Sequence, residues 1–195
     1  HEKGIVRSAM FRIPSNGGDA VEDAFDFLKT YSAILGLTNP VKELYLKKNY
    51  RDKDGGEHIF FGIRKGDVSL EGILIGLNRE GGFWTSLSSN VYLAGLENLD
   101  NLEIAPALSP TDAENAAIKH LLLANSKIAG ISKLVMFNPQ LIDGDNKLLL
   151  TYKVHVQGKN ASGIYEEYFV FINAQNGAVE NVQSLTIAAK NYDIE

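Results

Sequence analysis

Apolar and polar residues follow a helical period in one early segment of the chain. Between about residues 19 and 35 the apolar positions recur every three or four residues, which is the spacing of one face of an α-helix. Acidic residues occupy the first turn of this segment, where the helix dipole favours them, and Gly36 follows its end. The pattern predicts an amphipathic helix with this apolar face: Ala20, Ala24, Phe27, Leu28, Tyr31, Ile34 and Leu35.

After Pro40 the apolar positions change to the shorter period of β-strands. Four strand candidates follow one another, and the turns between them are rich in Asp and Gly, which favour hairpins. A further short strand precedes the helix. The first half is therefore predicted to be a helix followed by an antiparallel meander, with strands at about 5–13, 43–51, 57–65, 68–78 and 83–92.

The second half repeats this order of elements. Residues 93–108 have the composition of a linker, and Ser109-Pro110 opens a second helix with proline at a position that helices tolerate. A local match supports a repeat, because Asn78 and Gly82 correspond to Asn173 and Gly177 at an offset of 95 residues. Strands are predicted at about 131–137, 147–157, 164–173 and 178–187.

These patterns predict an α+β protein built of two tandem modules, residues 1–105 and residues 106–195. In each module one helix is expected to pack on a curled antiparallel sheet of about four strands, as in cystatin-like folds. The physical reason is that every element has one apolar face, which must be buried against another element.

The composition excludes several classes of protein. The chain has 195 residues, no Cys and a formal net charge of −5. Without Cys it has no disulfide framework, no thiolate metal site and no Cys nucleophile. The acidic balance argues against nucleic acid as the main partner. The longest apolar run, residues 72–77, is far shorter than the roughly 18 residues of a membrane-spanning helix, so no membrane span is expected.

Catalytic and metal-binding patterns give no candidate residue, cofactor or metal ligand. No His has a partner at metal-ligand spacing, and a structural role is expected for all four, which are His1, His58, His120 and His155. The acidic segments 52–54 and 143–145 begin like calcium loops but lack the later ligands, so they are predicted to be hairpin turns. A pair of catalytic carboxylates among the 24 acidic residues stays open, because such a pair needs only spatial proximity.

Aromatic residues are concentrated in the predicted strands. We expect them to lie in the sheet core rather than to form a binding platform. They are Phe60, Phe61, Phe83, Trp84, Tyr165, Tyr168, Phe169 and Phe171.

Several stretches, taken in order, form a more specific pattern. They are the helix end 35–37, the strand 56–61 with His58, the turn 67–72, the helix start 108–113, the strand 149–156 and the hairpin 171–179. In these stretches the chain resembles the propeptides of secreted thermolysin-like and fungalysin-like zinc metalloproteases. In that family an FTP (fungalysin/thermolysin propeptide) domain precedes a PepSY domain. The resemblance assigns residues 1–105 to an FTP-like domain and residues 106–195 to a PepSY-like domain with a C-terminal tail.

The resemblance implies a prodomain that acts as intramolecular chaperone and inhibitor of a secreted zinc metalloendopeptidase, in cis or in trans. The chain would then be no enzyme and would be secreted or extracytoplasmic. It would hold no cofactor, and zinc would belong only to the partner protease. The tail would contact the protease through Tyr192, Asp193, Ile194 and Glu195, unless it is simply a disordered end.

Two alternatives to this function stay open. One is a free-standing secreted FTP/PepSY protein that binds a peptide or a protein in trans as a protease inhibitor. The other is an enzyme with carboxylate or His chemistry in a pocket between helix and sheet, which would require several such groups with shifted pKa values in one cleft.

Overall fold

The computed structural model describes residues 5–91, 96–139 and 147–185, and strands dominate these residues. Strands hold 45% of them and helices 20%. None of the helices in this part of the chain is both long and apolar enough to cross a membrane. The elements are β1 (Ser8–Pro14), α1 (Ala20–Thr30), α2 (Pro40–Glu43), β2 (Leu44–Arg51), β3 (Glu57–Lys65), β4 (Val68–Leu70), β5 (Ile75–Glu80), β6 (Phe83–Ser89), α3 (Pro110–Leu121), β7 (Ala124–Ile128), β8 (Lys133–Phe137), β9 (Leu149–Lys159), β10 (Tyr165–Asn173) and β11 (Val179–Ser184).

These eleven strands belong to one sheet. Its order is β1-β6-β5-β3-β4-β8-β9-β10-β11, with β2 beside β3 and β7 beside β9. The expected fold, two tandem modules that each have one helix on a separate curled sheet of about four strands, is therefore wrong. The three-residue strand β4 pairs with β3, and just beyond β4 the Glu71 amide donates to the Met136 carbonyl at 2.9 Å. Pairing of this kind satisfies the backbone donors and acceptors of an open sheet edge. It leaves no hydrophobic pattern along the chain, so the sequence could not reveal it.

Most predicted strands are confirmed to within a few residues, and two differences have a physical cause. The strand predicted over 68–78 is divided into β4 and β5 by a turn at Gly72, whose φ of 76° is accessible to glycine at little cost. The strand β7 was missed because the apolar stripe of the second helix continues to Ala124. The helix ends at Leu121, and Leu122 takes a left-handed conformation with φ of 52°.

The first compact unit consists of residues 1–104 and 136–149. Its helix α1 begins at an N-cap, Asp19, whose carboxylate accepts hydrogen bonds from the amides of Val21 and Glu22. The apolar face of α1 packs on one face of the sheet, where Phe25 lies against Phe61 and Phe27 against Trp84. The core of this unit includes Ala24, Leu28, Leu35, Ile59, Phe61, Ile63, Ile75, Leu77, Trp84 and Leu87.

The second compact unit consists of residues 105–135 and 150–195. Its helix α3 begins with a capping box of Ser109 and Asp112 and packs against β7, β10 and β11. The turn between β10 and β11 is held by Asn173, whose side-chain oxygen accepts from the Gln175 amide at 2.9 Å and whose amide group donates to Glu180 at 2.7 Å. The core of this unit includes Ala113, Ala117, Val154, Val156, Val170 and Ile172.

Candidate functional site

The strands of the first unit have α1 on one face, and their opposite face, here called the outer face, carries aromatic and polar side chains. Side chains alternate between the two faces along a strand, so the register decides which residues share a face. Tyr50 is paired with His58, His58 with Asn78, and Asn78 with Ser86. The same register places these residues on the outer face: Met10, Tyr45, Lys48, Tyr50, His58, Phe60, Asn78, Ser86 and Ser88.

Three rings on the outer face, those of Tyr45, Tyr50 and Phe60, form what we call the aromatic platform. The Tyr50 and Phe60 rings are stacked, with centroids 6.1 Å apart and an angle of 15° between their planes. Two strand glycines let the rings approach the backbone. A Cβ atom on Gly62 would lie 2.6 Å from the Tyr45 ring, and one on Gly76 would lie 3.0 Å from Phe60. The rings therefore lie over the sheet, and Tyr50 is 43% exposed.

The expectation that the strand aromatics lie in the sheet core is wrong for part of the set. Phe61, Trp84 and Phe171 are buried as predicted. Phe60 is only half-buried and lies on the outer face, because it precedes Phe61 in the strand and neighbouring side chains point to opposite faces. Tyr165, at the start of β10, is 48% exposed.

Four side chains beside the platform form a line of hydrogen bonds, which we call the polar row. His58 Nε2 lies 2.8 Å from Asp52 Oδ2, and His58 Nδ1 lies 2.6 Å from Asn78 Oδ1. The amide group of Asn78 donates to Ser86 Oγ at 2.7 Å. The His58 ring also stacks on Tyr50, with centroids 4.7 Å apart. Because both ring nitrogens face an oxygen acceptor, the contacts match an imidazolium, which donates from both nitrogens.

These contacts stabilise the proton on His58. The hydrogen bond to Asp52 is the largest cause of its raised pKa, and Asn78 adds to the effect while burial opposes it. The same hydrogen bond lowers the pKa of Asp52, whose carboxylate also accepts from the amides of Asp54 and Gly56. The polar row therefore ties the β2–β3 turn to the outer face. The acidic segment 52–54 is a hairpin turn, as the sequence predicts.

Raising the pH should remove the stability that His58 contributes. A group whose pKa is higher in the folded chain contributes fully below its unfolded pKa, near 6.5 for His, and the contribution is lost as pH rises through the folded value. The urea midpoint of the parent chain should therefore decrease as the pH rises from about 5.5 to 8.5, and this decrease should be absent in His58→Gln. His120→Gln, at an exposed position on α3, is the matched control and should behave as the parent chain. Equal pH profiles for the parent and His58→Gln would refute this role.

A second charged group lies on the helix side of the same sheet. Arg79 Nε donates to Glu57 Oε2 at 2.5 Å, and its Nη1 atom lies 3.4 Å from Asp23 Oδ2 and 3.3 Å from the Gly18 carbonyl. The hydrogen bond from Arg79 is the largest cause of the lowered pKa of Glu57, and Arg51 adds to it. This network fixes the start of α1 to β3 and β5. Its arginine is only 10% exposed.

The remaining residues singled out in the sequence have separate positions. The tail residues Tyr192, Asp193, Ile194 and Glu195 lie outside the described residues, as do His1 and the acidic segment 143–145. His155 Nε2 lies 3.1 Å from Glu167 Oε2 on the sheet of the second unit. Within residues 5–91, 96–139 and 147–185, no group of three or more His, Cys, Asp or Glu side chains is arranged to hold a metal ion.

The comparisons with known proteins give distant structural similarity only. No protein-family model matches the chain, and no curated protein matches it. Among solved structures, the Bacillus megaterium YpeB C-terminal domain is 19% identical with a TM-score of 0.42. The match covers 83% of this chain, which spans 65% of the length of that structure. A similarity of this size carries no argument about the family or the function of this chain.

The outer face was missed in the sequence because its members are spread over five strands. One signal was present, since Gly62 and Gly76 interrupt strands whose other residues favour sheets. A glycine inside a strand marks a place where another group approaches the backbone. Pairing each glycine with the aromatic ring above it requires the strand register, which the sequence does not contain.

Proposed function

We propose that this chain is a non-catalytic binding protein, the prodomain of a secreted zinc metalloendopeptidase, which assists the folding of the protease and inhibits it. The observation that supports binding is the outer face. There the aromatic platform lies on the same sheet face as Met10, which is 92% exposed, and Lys48, whose ammonium group lies 4.8 Å from the Tyr50 ring centroid. Accessible Tyr, Phe and Met side chains are enriched at the centres of protein interfaces.

The prodomain role rests on the resemblance described for the sequence. The family's stretches occur in order over nearly the whole chain, and in that family the zinc ligands belong to the protease rather than to the prodomain. Secretion follows from the same proposal, as does the tail 192–195 as a protease-contacting segment.

The test uses the zinc metalloendopeptidase encoded in the same reading frame or beside it. The protease is refolded from denaturant with and without an equimolar amount of this chain, and its peptidase activity is then titrated with added chain. The proposal predicts a higher yield of folded protease and loss of activity as the chain is added. Tyr50→Ala should weaken inhibition by about tenfold, the scale of an interface hot spot. Tyr165→Ala, at a similarly exposed position outside the outer face, should leave inhibition unchanged.

Two outcomes separate the proposal from its alternatives. A sequence His-Glu-x-x-His later in the same reading frame supports a prodomain in cis, whereas inhibition by a separately encoded chain supports the free-standing inhibitor. Refolding and activity that do not respond to the chain would contradict both.

A further inference from the structure

The strand β2 has a free edge in the part of the chain that the structure describes. It pairs with β3 through residues 44–51 and with no other described strand. Residues 46–51 are exposed. Every second backbone N–H and C=O of an edge strand points away from its sheet, where an added strand can pair with it.

A groove with a mainly apolar lining runs beside this edge, between β2 and the helices α1 and α2. Its volume is about 580 Å³. A strand added to β2 would direct alternate side chains towards this groove, because strand side chains have a period of two. Six of the groove's ten lining residues are apolar, and Glu22 and Asp26 outnumber the one lining cation, Arg64, so an apolar side chain fits there better than an acidic one. The apolar residues that line the groove are Val21, Phe25, Val41, Leu44, Leu46 and Phe61.

The charges of β2 select the kind of strand that can pair with it. The strand carries Lys47, Lys48 and Arg51 and no acidic residue. A second copy of β2 in antiparallel pairing would oppose cations with cations, which is destabilising, and edge lysines are a known means of preventing self-pairing. An acidic strand meets no charge repulsion at this edge, because the charged side chain on the outer-face side of the edge is that of Lys48.

We propose that the β2 edge and its groove bind an extended segment of a partner protein in which apolar and acidic residues alternate. Main-chain pairing with β2 holds the segment, its apolar side chains enter the groove, and its acidic side chains face Lys48. This inference rests on the proposed function as a binding protein and extends it, since it names the chemistry of the bound segment. The outer face and the β2 edge are continuous through Tyr45 and Tyr50, which belong to both.

The experiment titrates the full chain with an acetylated six-residue peptide of alternating Leu and Glu and follows binding by calorimetry. Two peptides serve as controls, one with Lys in place of Glu and one with backbone N-methyl groups that prevent main-chain pairing. We expect saturable binding of the Leu/Glu peptide and none of either control. Binding of all three peptides alike would overturn the proposal, as would no binding of the first.

Variants of the chain locate the peptide. Val41→Glu should weaken binding more than about tenfold, because it places a charge in the mainly apolar lining of the groove. Val41 is 59% exposed, so this change should not prevent folding. Lys48→Glu should weaken binding about threefold to fivefold, the scale of one cross-strand charge pair. Lys42→Glu, on the exposed side of α2, is the matched control and should bind as the parent chain.

Failure of this inference is distinguishable from failure of the proposed function. Inhibition of the metalloendopeptidase without peptide binding would overturn the edge proposal alone. Peptide binding without any effect on the protease would support the edge and contradict the prodomain role. Peptide binding that Val41→Glu leaves unchanged would place the peptide elsewhere and overturn the inference.

Discussion

Replacing Arg79 by methionine is expected to lower the free energy of unfolding by about 3 kcal/mol. The Arg79 side chain is 10% exposed, and its guanidinium group contacts Glu57 and Asp23, whose side chains are 18% and 6% exposed. Methionine fills similar space but leaves two carboxylates without their shared cation in a place that water reaches poorly. The measurement is equilibrium urea unfolding at pH 7, followed by circular dichroism.

A matched variant and a pH series test the cause of this loss. Arg51→Met removes the other cation beside Glu57, but Arg51 is 67% exposed, so we expect a loss below about 1 kcal/mol. The pKa of Glu57 is lowered in the folded chain, so its contribution is present above its unfolded pKa and is lost as pH falls through the folded value. The deficit of Arg79→Met should therefore shrink in acid. An equal loss for both arginines, or a deficit that grows in acid, would contradict the network.

Replacing Trp84 by alanine is expected to cost about 3–5 kcal/mol, the range for a large aromatic residue in a core. Trp84 is 1% exposed and packs against Phe27, which stacks in turn on Phe11 with centroids 5.5 Å apart. The cavity would open at the centre of the helix-covered face. Circular dichroism is the suitable signal, because Trp84 is the one tryptophan of the chain and its fluorescence is lost in the variant.

Trp84→Phe separates packing from hydrogen bonding at this position. Among the described residues the indole Nε1 atom has no hydrogen-bond partner. Phenylalanine therefore removes ring volume without breaking a protein hydrogen bond, and we expect a loss of no more than about 1.5 kcal/mol. If Trp84→Phe lowered the free energy of unfolding as much as Trp84→Ala, ring packing would not be the main contribution of Trp84, and this expectation would be wrong.

The sequence predicted local elements better than their assembly. Apolar periods located α1, α3 and most strands, because amphipathic spacing is a local property. The Asp-rich turn at 52–54 was also predictable, since Asp side chains accept hydrogen bonds from nearby amides. The single eleven-stranded sheet was not predictable in this way. It depends on pairing such as that of Glu71 with Met136, which is distant in sequence and leaves no periodic signal.

In the candidate site, too, the local features were predictable and the long-range contacts were not. His58 was expected to be structural, and the structure places it between Asp52 and Asn78, a contact that spans 20 residues of sequence. Phe60 and Phe61 are neighbours of the same type, yet one lies on the outer face and the other in the core. Strand periodicity predicts that they differ, but only the position of α1 decides which of them is buried.

The claim that the outer face of the first unit binds a protein partner is tested most directly by amide hydrogen exchange. The chain is compared alone and in an equimolar mixture with the proposed partner metalloendopeptidase, and protection is mapped along the sequence. The account predicts slower exchange in residues 44–51 and 57–61 of the mixture, with smaller changes in α3. Unchanged exchange in both strands, with protection confined to other segments or absent, would contradict it.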